Sequence, residues 1–456
     1  MREPKKFKAF PFTYHQEIEV TITALSNLGV GIARVQIEPK EEPKEEKPKF
    51  AVTESHVKKM IIPSQQAAKE KAQQEATIEP TLEPEGWVVF VPHTLPGEKV
   101  LARIFRNDKS HSQADLVSVI DPSPDRLEPT CELFGKCGGC QYQHLSYEKQ
   151  LDWKTKQVEE LLQFMAGVET PVSPAIPSPK QWGYRSKITP HFKRPRDGKI
   201  GDIGFLLAGQ RSHLVDVPQC PIAMDEINEA MPRIREATRA NAKAYKKDAT
   251  LLLRATEGRV ETNHRNVISE TVSTDNGDIK FNFLAGDFFQ NNPFILPSFT
   301  GYVGEQASSG GAKYLVDAYC GSGLFSLCLA HKFKKVAGVE VSETAADWAQ
   351  KNADLNGITN TTFLAASAEA IFKDINFPAD ETAVVIDPPR KGCNEEFLTQ
   401  LFAFAPSRVV YISCNPATQM RDLKEFLTAG YALTEVQPFD LFPQTRHLEC
   451  VIVLEK

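Results

Sequence analysis

The stretch YLVDAYCGSGL, residues 314–324, decides the fold. Its first residues are apolar and read as a buried strand. The strand runs into Tyr319, Gly321 and Gly323, and glycines there let the backbone turn tightly and approach a ligand at the start of the following helix. A glycine pair alone is weak evidence. Seventeen residues after Gly323, however, the strand KVAGVEV brings Glu340 to the place where a carboxylate accepts hydrogen bonds from ribose hydroxyls.

Working outward, strands and helices alternate: a helix with the pattern ETAADWAQKNADLNG, the strands TTFLA, AVVIDPP and RVVYISC with helices between them, then strands near Val436 and Val451. This is the pattern of a doubly wound, mostly parallel α/β sheet with helices on both faces. Ligands of such sheets bind outside the carboxyl ends of the strands. Asp387-Pro388-Pro389-Arg390-Lys391-Gly392 and Ser413-Cys414-Asn415-Pro416 stand at two of those ends, facing the same crevice as Glu340. Both NAD and S-adenosylmethionine enzymes use the glycine turn and acidic strand end, but a dehydrogenase has no need of a thiol there. Taken singly, Cys414 is a small residue ending a buried strand.

Toward the N-terminus, residues 17–35 and 87–105 alternate apolar and polar side chains around Pro-Gly turns, as strands of one small β-barrel do. Residues 38–85 separate them, with 11 acidic and 8 basic residues and runs such as KEEPKEEKPK. This composition predicts a disordered or loosely helical loop insertion. Residues 146–165 have helical periodicity behind Ser146, and 182–220 interleave Arg185, Lys187, Lys193, Arg194, Arg196 and Arg211 with Trp182, Tyr184, Phe192 and Phe205. That mixture suits a platform for single-stranded RNA, and equally the basic outer face of an ordinary sheet.

The chain of 456 residues exceeds one hydrophobic core and predicts two or three domains. No apolar run is long enough to span a bilayer or serve as a secretory signal, so a cytoplasmic location is expected, with no membrane partner. The net charge of −6 does not exclude nucleic acid, because binding depends on local basic patches. Nine cysteines, three of them between Cys131 and Cys140, look unlike a disulfide framework. Thiolate ligation suits zinc as well as iron–sulfur, and spacing alone does not separate them. Cys320, Cys328, Cys393 and Cys450 read as packing residues.

Together these residues resemble the uridine-C5 RNA methyltransferases over nearly the whole chain. The resemblance rests on Cys131, Cys137 and Cys140 spaced C-x5-C-x2-C with Cys220 far downstream, on Asp287-Phe288-Phe289-Gln290-Asn291-Asn292, on Asp387-Pro388-Pro389-Arg390, on Ser413-Cys414-Asn415-Pro416, and on residues 442–449, FPQTRHLE. It implies three regions: a TRAM-like RNA-binding barrel over 1–125, an iron–sulfur and RNA-binding region over 126–285, and a Rossmann-like class I methyltransferase domain over 286–456. It also implies a 4Fe-4S cluster on Cys131, Cys137, Cys140 and Cys220. Gln290, Tyr319, Glu340 and Asp387, with the turn at Gly321 and Gly323, would then contact S-adenosylmethionine. Leu324 departs from the family's frequent asparagine, and Ser367 occupies a variable position near the adenine.

Uracil C5 is a poor nucleophile, and a thiolate adding at C6 converts it into an enolate carbon; Cys414 suits that addition. The C5 proton must then leave, and Glu449 is the candidate base, from its place in the HLE sequence. Arg390 and Lys391 are read as phosphate contacts, with a solvated loop as the alternative. Resemblance favours ribosomal RNA as the partner, with transfer RNA as the alternative; a non-catalytic RNA-binding or RNA-folding protein is the reading of a different class. No protein partner is evident, and a monomer is expected.

Overall fold

The computed structural model describes residues 7–37, 86–210, 212–366, 372 and 375–456. The insertion at 38–85, Arg211 and Ser367 lie outside them. The chain divides into two compact units, one ending at Asp121 and the other running from Pro122 to Lys456 with residues 25–31.

The first unit is the expected barrel. Its strands β1 (Glu17–Leu25), β2 (Val30–Val35), β3 (Trp87–Pro92), β4 (Lys99–Asn107) and β5 (His111–Asp121) close in the order β1-β2-β3-β5-β4. Strand side chains alternate faces, so Val100, Ala102 and Ile104 of β4 point inward with Val20, Ile22, Val89, Val91 and Ala114. Closure removes the exposed edges that a five-stranded sheet would otherwise present.

The second unit begins with the cysteine segment and helix α1 (Tyr147–Leu161), whose first turn is capped where Ser146 Oγ accepts from the Lys149 N–H at 3.4 Å. A π-turn over Leu162–Ala166 continues it, and Gly167 ends it in the left-handed region. Short strands follow: β6 (Lys187–Ile188), β7 (His191–Phe192), β8 (Ile203–Leu206) and β9 (Leu214–Asp216). Next come α2 (Asp225–Ala240), β10 (Ala249–Thr250), β11 (Leu253–Thr256), β12 (Arg259–Glu261) and the hairpin β13 (Val267–Thr274) and β14 (Gly277–Leu284). Helix α2 and the hairpin are not foreseen in the sequence, which marks this region only as rich in strands.

After α3 (Leu296–Ser308) the predicted alternation appears almost element for element: β15 (Tyr314–Ala318), α4 (Leu324–Cys328), β16 (Lys335–Glu340), α5 (Glu343–Leu355), β17 (Thr361–Ala365), β18 (Thr382–Ile386), α6 (Glu395–Phe404), β19 (Arg408–Ser413), α7 (Pro416–Thr428), β20 (Ala432–Phe439) and β21 (Glu449–Glu455). The seven strands lie in the order β17-β16-β15-β18-β19-β21-β20, parallel from β17 to β19, with β21 antiparallel to both its neighbours. Period-two alternation divides the core between the faces: Leu315, Val385 and Val410 pack on one side, Val316, Val384 and Val409 on the other. Each such side chain contributes roughly 1.5–3 kcal/mol by burial. Strand order reverses beside β15, which opens a crevice at the carboxyl ends of β15 and β18. Among the described residues no helix is long and apolar enough to cross a membrane.

Candidate active site

A cavity of about 990 Å³ opens at this crevice. Its wall contains Gln290, Tyr319, Gly321, Glu340, Asp387, Cys414 and Glu449, and also Cys131, Cys137, Cys140 and Cys220. Eleven of the twelve residues singled out in the sequence therefore share one cavity. Gly323 does not line it. Its φ of 93° turns the chain into α4, where a Cβ would stand 3.2–3.3 Å from Leu327 and Ala349, so its role is the turn itself.

At the cofactor end, the Glu340 carboxylate accepts from the Gly321 N–H at 3.0 Å and the Ser342 N–H at 2.9 Å. Both bonds hold it at the end of β16 with room for further acceptor contacts. Tyr319 sits at φ 69°, a left-handed conformation uncommon for a non-glycine residue, with its ring edge-on to Phe397 at 5.5 Å. Leu324 and Val341 add apolar wall. One step inside, Asp317 accepts from the Ser326 N–H (2.8 Å) and hydroxyl (2.6 Å) through one oxygen, while its other oxygen is buried without a hydrogen bond. Burial pushes the Asp317 carboxyl up to about 7. Asp387, at the end of the neighbouring β18, is pushed up to about 7 by burial and by the charge of Asp317.

At the thiol end, β19 and β21 pair with Ser413 opposite Cys450. Cys414 follows the one and Glu449 precedes the other, so the antiparallel register itself brings thiol and carboxyl together. Burial pushes the Cys414 thiol up to about 11, with Glu449 and Asp387 raising it and Arg390, through its charge and a hydrogen bond, opposing them. Burial and Asp387 hold the Glu449 carboxyl well above the usual carboxylate range, again with Arg390 opposing. Arg390 is thus a member of the site, beside the thiol, a placement that its reading as a phosphate contact did not include. Its loop is tied to the start of α7: its carbonyl accepts from Asn415 Nδ2 (3.1 Å) and the Thr418 hydroxyl (3.2 Å). Lys391 is exposed. Burial first, and the surrounding cations next, lower His447 to about 4, so its imidazole is neutral at physiological pH among charged arginines.

At the cysteine end, burial raises Cys137, takes Cys140 to about 12 and takes Cys220 to about 11, and the sulfurs raise one another. Backbone N–H groups oppose this, from Gly139 at Cys137 and from Ile222 and Ala223 at Cys220, as in sites that hold thiolates. Among the described residues no three His, Cys, Asp or Glu side chains converge as ligands of one metal ion would. Cys320, Cys328, Cys393 and Cys450 are buried, as their reading as packing residues anticipated.

Sequence reasoning missed Asp317, His447 and the role of Arg390. A lone acid in an apolar strand just before the glycine turn was the available signal for Asp317. For Arg390 nothing local distinguishes a side chain turned in toward a thiol from one turned out to solvent.

Comparison with known proteins identifies the family. A family model for tRNA (uracil-5-)-methyltransferase matches residues 236–456. A tRNA (uracil(54)-C(5))-methyltransferase of Schizosaccharomyces pombe is 45% identical over 394 residues, covering 81% of this chain and 74% of its own length. Its namesake in Saccharomyces cerevisiae is 35% identical over 441 residues, covering 81% and 69%. The solved tRNA (uracil-54, C5)-methyltransferase of Pyrococcus abyssi, in complex with S-adenosyl-L-homocysteine, has a TM-score of 0.62 at 25% identity, covering 81% of this chain and 97% of that one. This chain belongs to the uracil-C5 RNA methyltransferase family, whose members are S-adenosylmethionine-dependent enzymes.

Proposed function

We propose that this enzyme methylates C5 of uridine 54 in transfer RNA, with Cys414 as nucleophile and Glu449 as base. The observation that carries the reading is the register of β19 and β21, which faces the thiol with a buried carboxyl in the wall of the same cavity as Glu340 and Asp387. The Cys414 thiolate adds to C6, and the C5=C6 electron pair becomes available at C5. S-adenosylmethionine supplies the electrophilic methyl group that C5 takes. Glu449 then accepts the C5 proton, the C5–H electrons re-form the C5=C6 bond, and the C6–S pair returns to sulfur. Arg390 stabilises both the thiolate and the carboxylate as they form.

Gln290, Tyr319, Gly321, Glu340 and Asp387 would hold the cofactor. The cavity fits it: Glu340 is fixed to receive ribose hydroxyls, Leu324 and Val341 give apolar surface, and the Asp387 carboxyl in the wall suits a cationic sulfonium nearby. The target nucleotide must leave its stack to reach the thiol, at a cost of roughly a few kcal/mol.

For the RNA, the barrel and the cysteines favour ribosomal RNA by resemblance. Two relatives matching 81% of this chain are named for uracil 54 of transfer RNA, and that weighs more. The four cysteines are proposed to hold a 4Fe-4S cluster. What supports this is the resemblance of the spacing Cys131, Cys137, Cys140 with distant Cys220; zinc is the alternative for the same thiolates. Iron and acid-labile sulfide analysis of anaerobically purified protein tests this, and zinc with no sulfide would overturn it.

The test of function is tritium release from C5-labelled uridine in transfer RNA and ribosomal RNA, with mapping of the methylated position. Release from transfer RNA alone, lost in Cys414→Ala, is expected. Turnover by Cys414→Ala would refute the covalent route, and release only from ribosomal RNA would restore the other substrate.

A further inference from the structure

Residues 440–448 join β20 to β21 and deliver Glu449. They are held along most of their length by the segment that follows the cysteines, and Gln444 lies at the centre of that grip. Its backbone is in the left-handed region, φ 68°, and the residue is buried. For a non-glycine residue this conformation persists only where the surroundings impose it. Here they do so fully. The Gln444 carbonyl accepts from the main-chain N–H groups of Gln141 (3.0 Å) and Tyr142 (3.1 Å). Its own N–H donates to Gln150 Oε1 at 3.0 Å, and its side-chain oxygen accepts from Gln150 Nε2 at 3.0 Å.

The flanking residues are pinned in the same way. The Tyr184 hydroxyl donates to the Pro443 carbonyl at 2.9 Å, and the Arg446 N–H donates to Gln141 Oε1 at 3.1 Å. The Lys154 ammonium donates to Asp440 at 2.6 Å and to the His447 carbonyl at 3.0 Å. Gln141 directly follows Cys140 in the chain. The strap therefore links the cysteine wall at one end to Glu449 at the other, through buried bonds that each cost free energy to leave unmade.

A base must reach the proton it removes to within hydrogen-bonding distance, and a displacement of about 1 Å costs on the order of a hundredfold in rate. The ladder of β21 fixes Glu449 from its C-terminal side; the strap fixes it from the other. We propose that Gln444 is a positioning residue that sets the Glu449 carboxyl for proton removal and ties that step to the geometry of the cysteine segment. The inference rests on Glu449 being the base.

If so, loosening Gln444 slows the step after methyl transfer, and the enzyme stalls as a C6–S adduct with RNA that survives denaturing electrophoresis. Gln444→Gly keeps the positive φ without the side chain, Gln150→Leu removes the reciprocal amide bonds together with those to the Tyr142 and Leu145 carbonyls, and Gln141→Ala removes the bond to Arg446 and one to the Gly138 carbonyl without touching the Gln444 side chain. Each is compared with wild type and Glu449→Gln for adduct, tritium release, and affinity for RNA and for S-adenosylmethionine. The expected result is adduct accumulation with at least tenfold slower release and affinities within about twofold, in Gln150→Leu and, to a smaller extent, Gln141→Ala even where Gln444→Gly fails to fold. Adduct in Glu449→Gln but in none of the strap variants overturns the role of Gln444 alone. No adduct in Glu449→Gln overturns the base assignment and this inference with it.

Discussion

Cys414 and Glu449 face each other because Ser413 pairs with Cys450 across the antiparallel strands β19 and β21. The carboxyl that would remove the C5 proton begins β21, and the thiol that would attack C6 is the first residue past β19, so the paired strand ends set how they meet. Each also disfavours ionisation of the other, since negative charge on Glu449 raises the Cys414 thiol. Four consequences are open to measurement.

The first concerns pH. Cys414 stands at about 11, so only a small fraction is thiolate near neutrality, and Glu449 is likewise held in its neutral form. Methyl transfer needs the thiolate and precedes proton removal by Glu449, so Cys414 alone sets its pH slope. Single-turnover methylation should therefore climb about tenfold per pH unit from about pH 7 to 9. A flat profile in rapid-quench assays would contradict the thiol's placement.

Arg390 is the group that opposes both shifts. Arg390→Met should raise the thiol further and slow methylation by roughly 10²- to 10³-fold, while Arg390→Lys, which keeps the charge, recovers part of the loss. Alkylation of the Cys414 peptide by iodoacetamide, followed by mass spectrometry against pH, reads the thiol directly. An unchanged midpoint in Arg390→Met would show that the guanidinium does not act on sulfur.

Asp317 links pH to stability. Its folded value, about 7, lies above its ordinary 3.8, so its contribution is full below the ordinary value and is lost as pH rises through about 7. Asp317→Asn removes that dependence. Melting temperature should fall more steeply between about pH 4 and 7 in the wild type than in the variant; equal slopes would assign the dependence elsewhere.

Lys154 and Asp440 form an ion pair with both side chains fully buried, 2.6 Å apart. Removing one partner strands the other, so Lys154→Met should cost about 3–5 kcal/mol in urea unfolding. Lys154→Met with Asp440→Leu should restore most of it. A double variant no more stable than the single one would mean that the pair's bonds to the 442–447 carbonyls, rather than its charges, carry the effect.

Much of this protein is determined by sequence alone. Alternation of period two and helical periodicity specify the barrel strands and the β15–β21 sheet because each element must bury one face, and that requirement is local. The glycine turn, Glu340, Asp387 and Cys414 are legible because strand ends carry the chemistry of this fold, and strand ends can be counted. Helix α2 and the hairpin β13–β14 were not read out although both are local: β13 pairs with β14 across Asp275-Asn276, a turn that the sequence itself marks. The site's working geometry, by contrast, is not local. The meeting of Cys414 with Glu449 depends on a register between strands separated by β20. The place of the Arg390 loop depends on α7, and the hold on Gln444 depends on residues some 300 positions earlier, such as Gln150. Hydrogen bonds and charge interactions over such separations leave no periodic trace in sequence, so only the tertiary structure decided which of the legible residues act on one another.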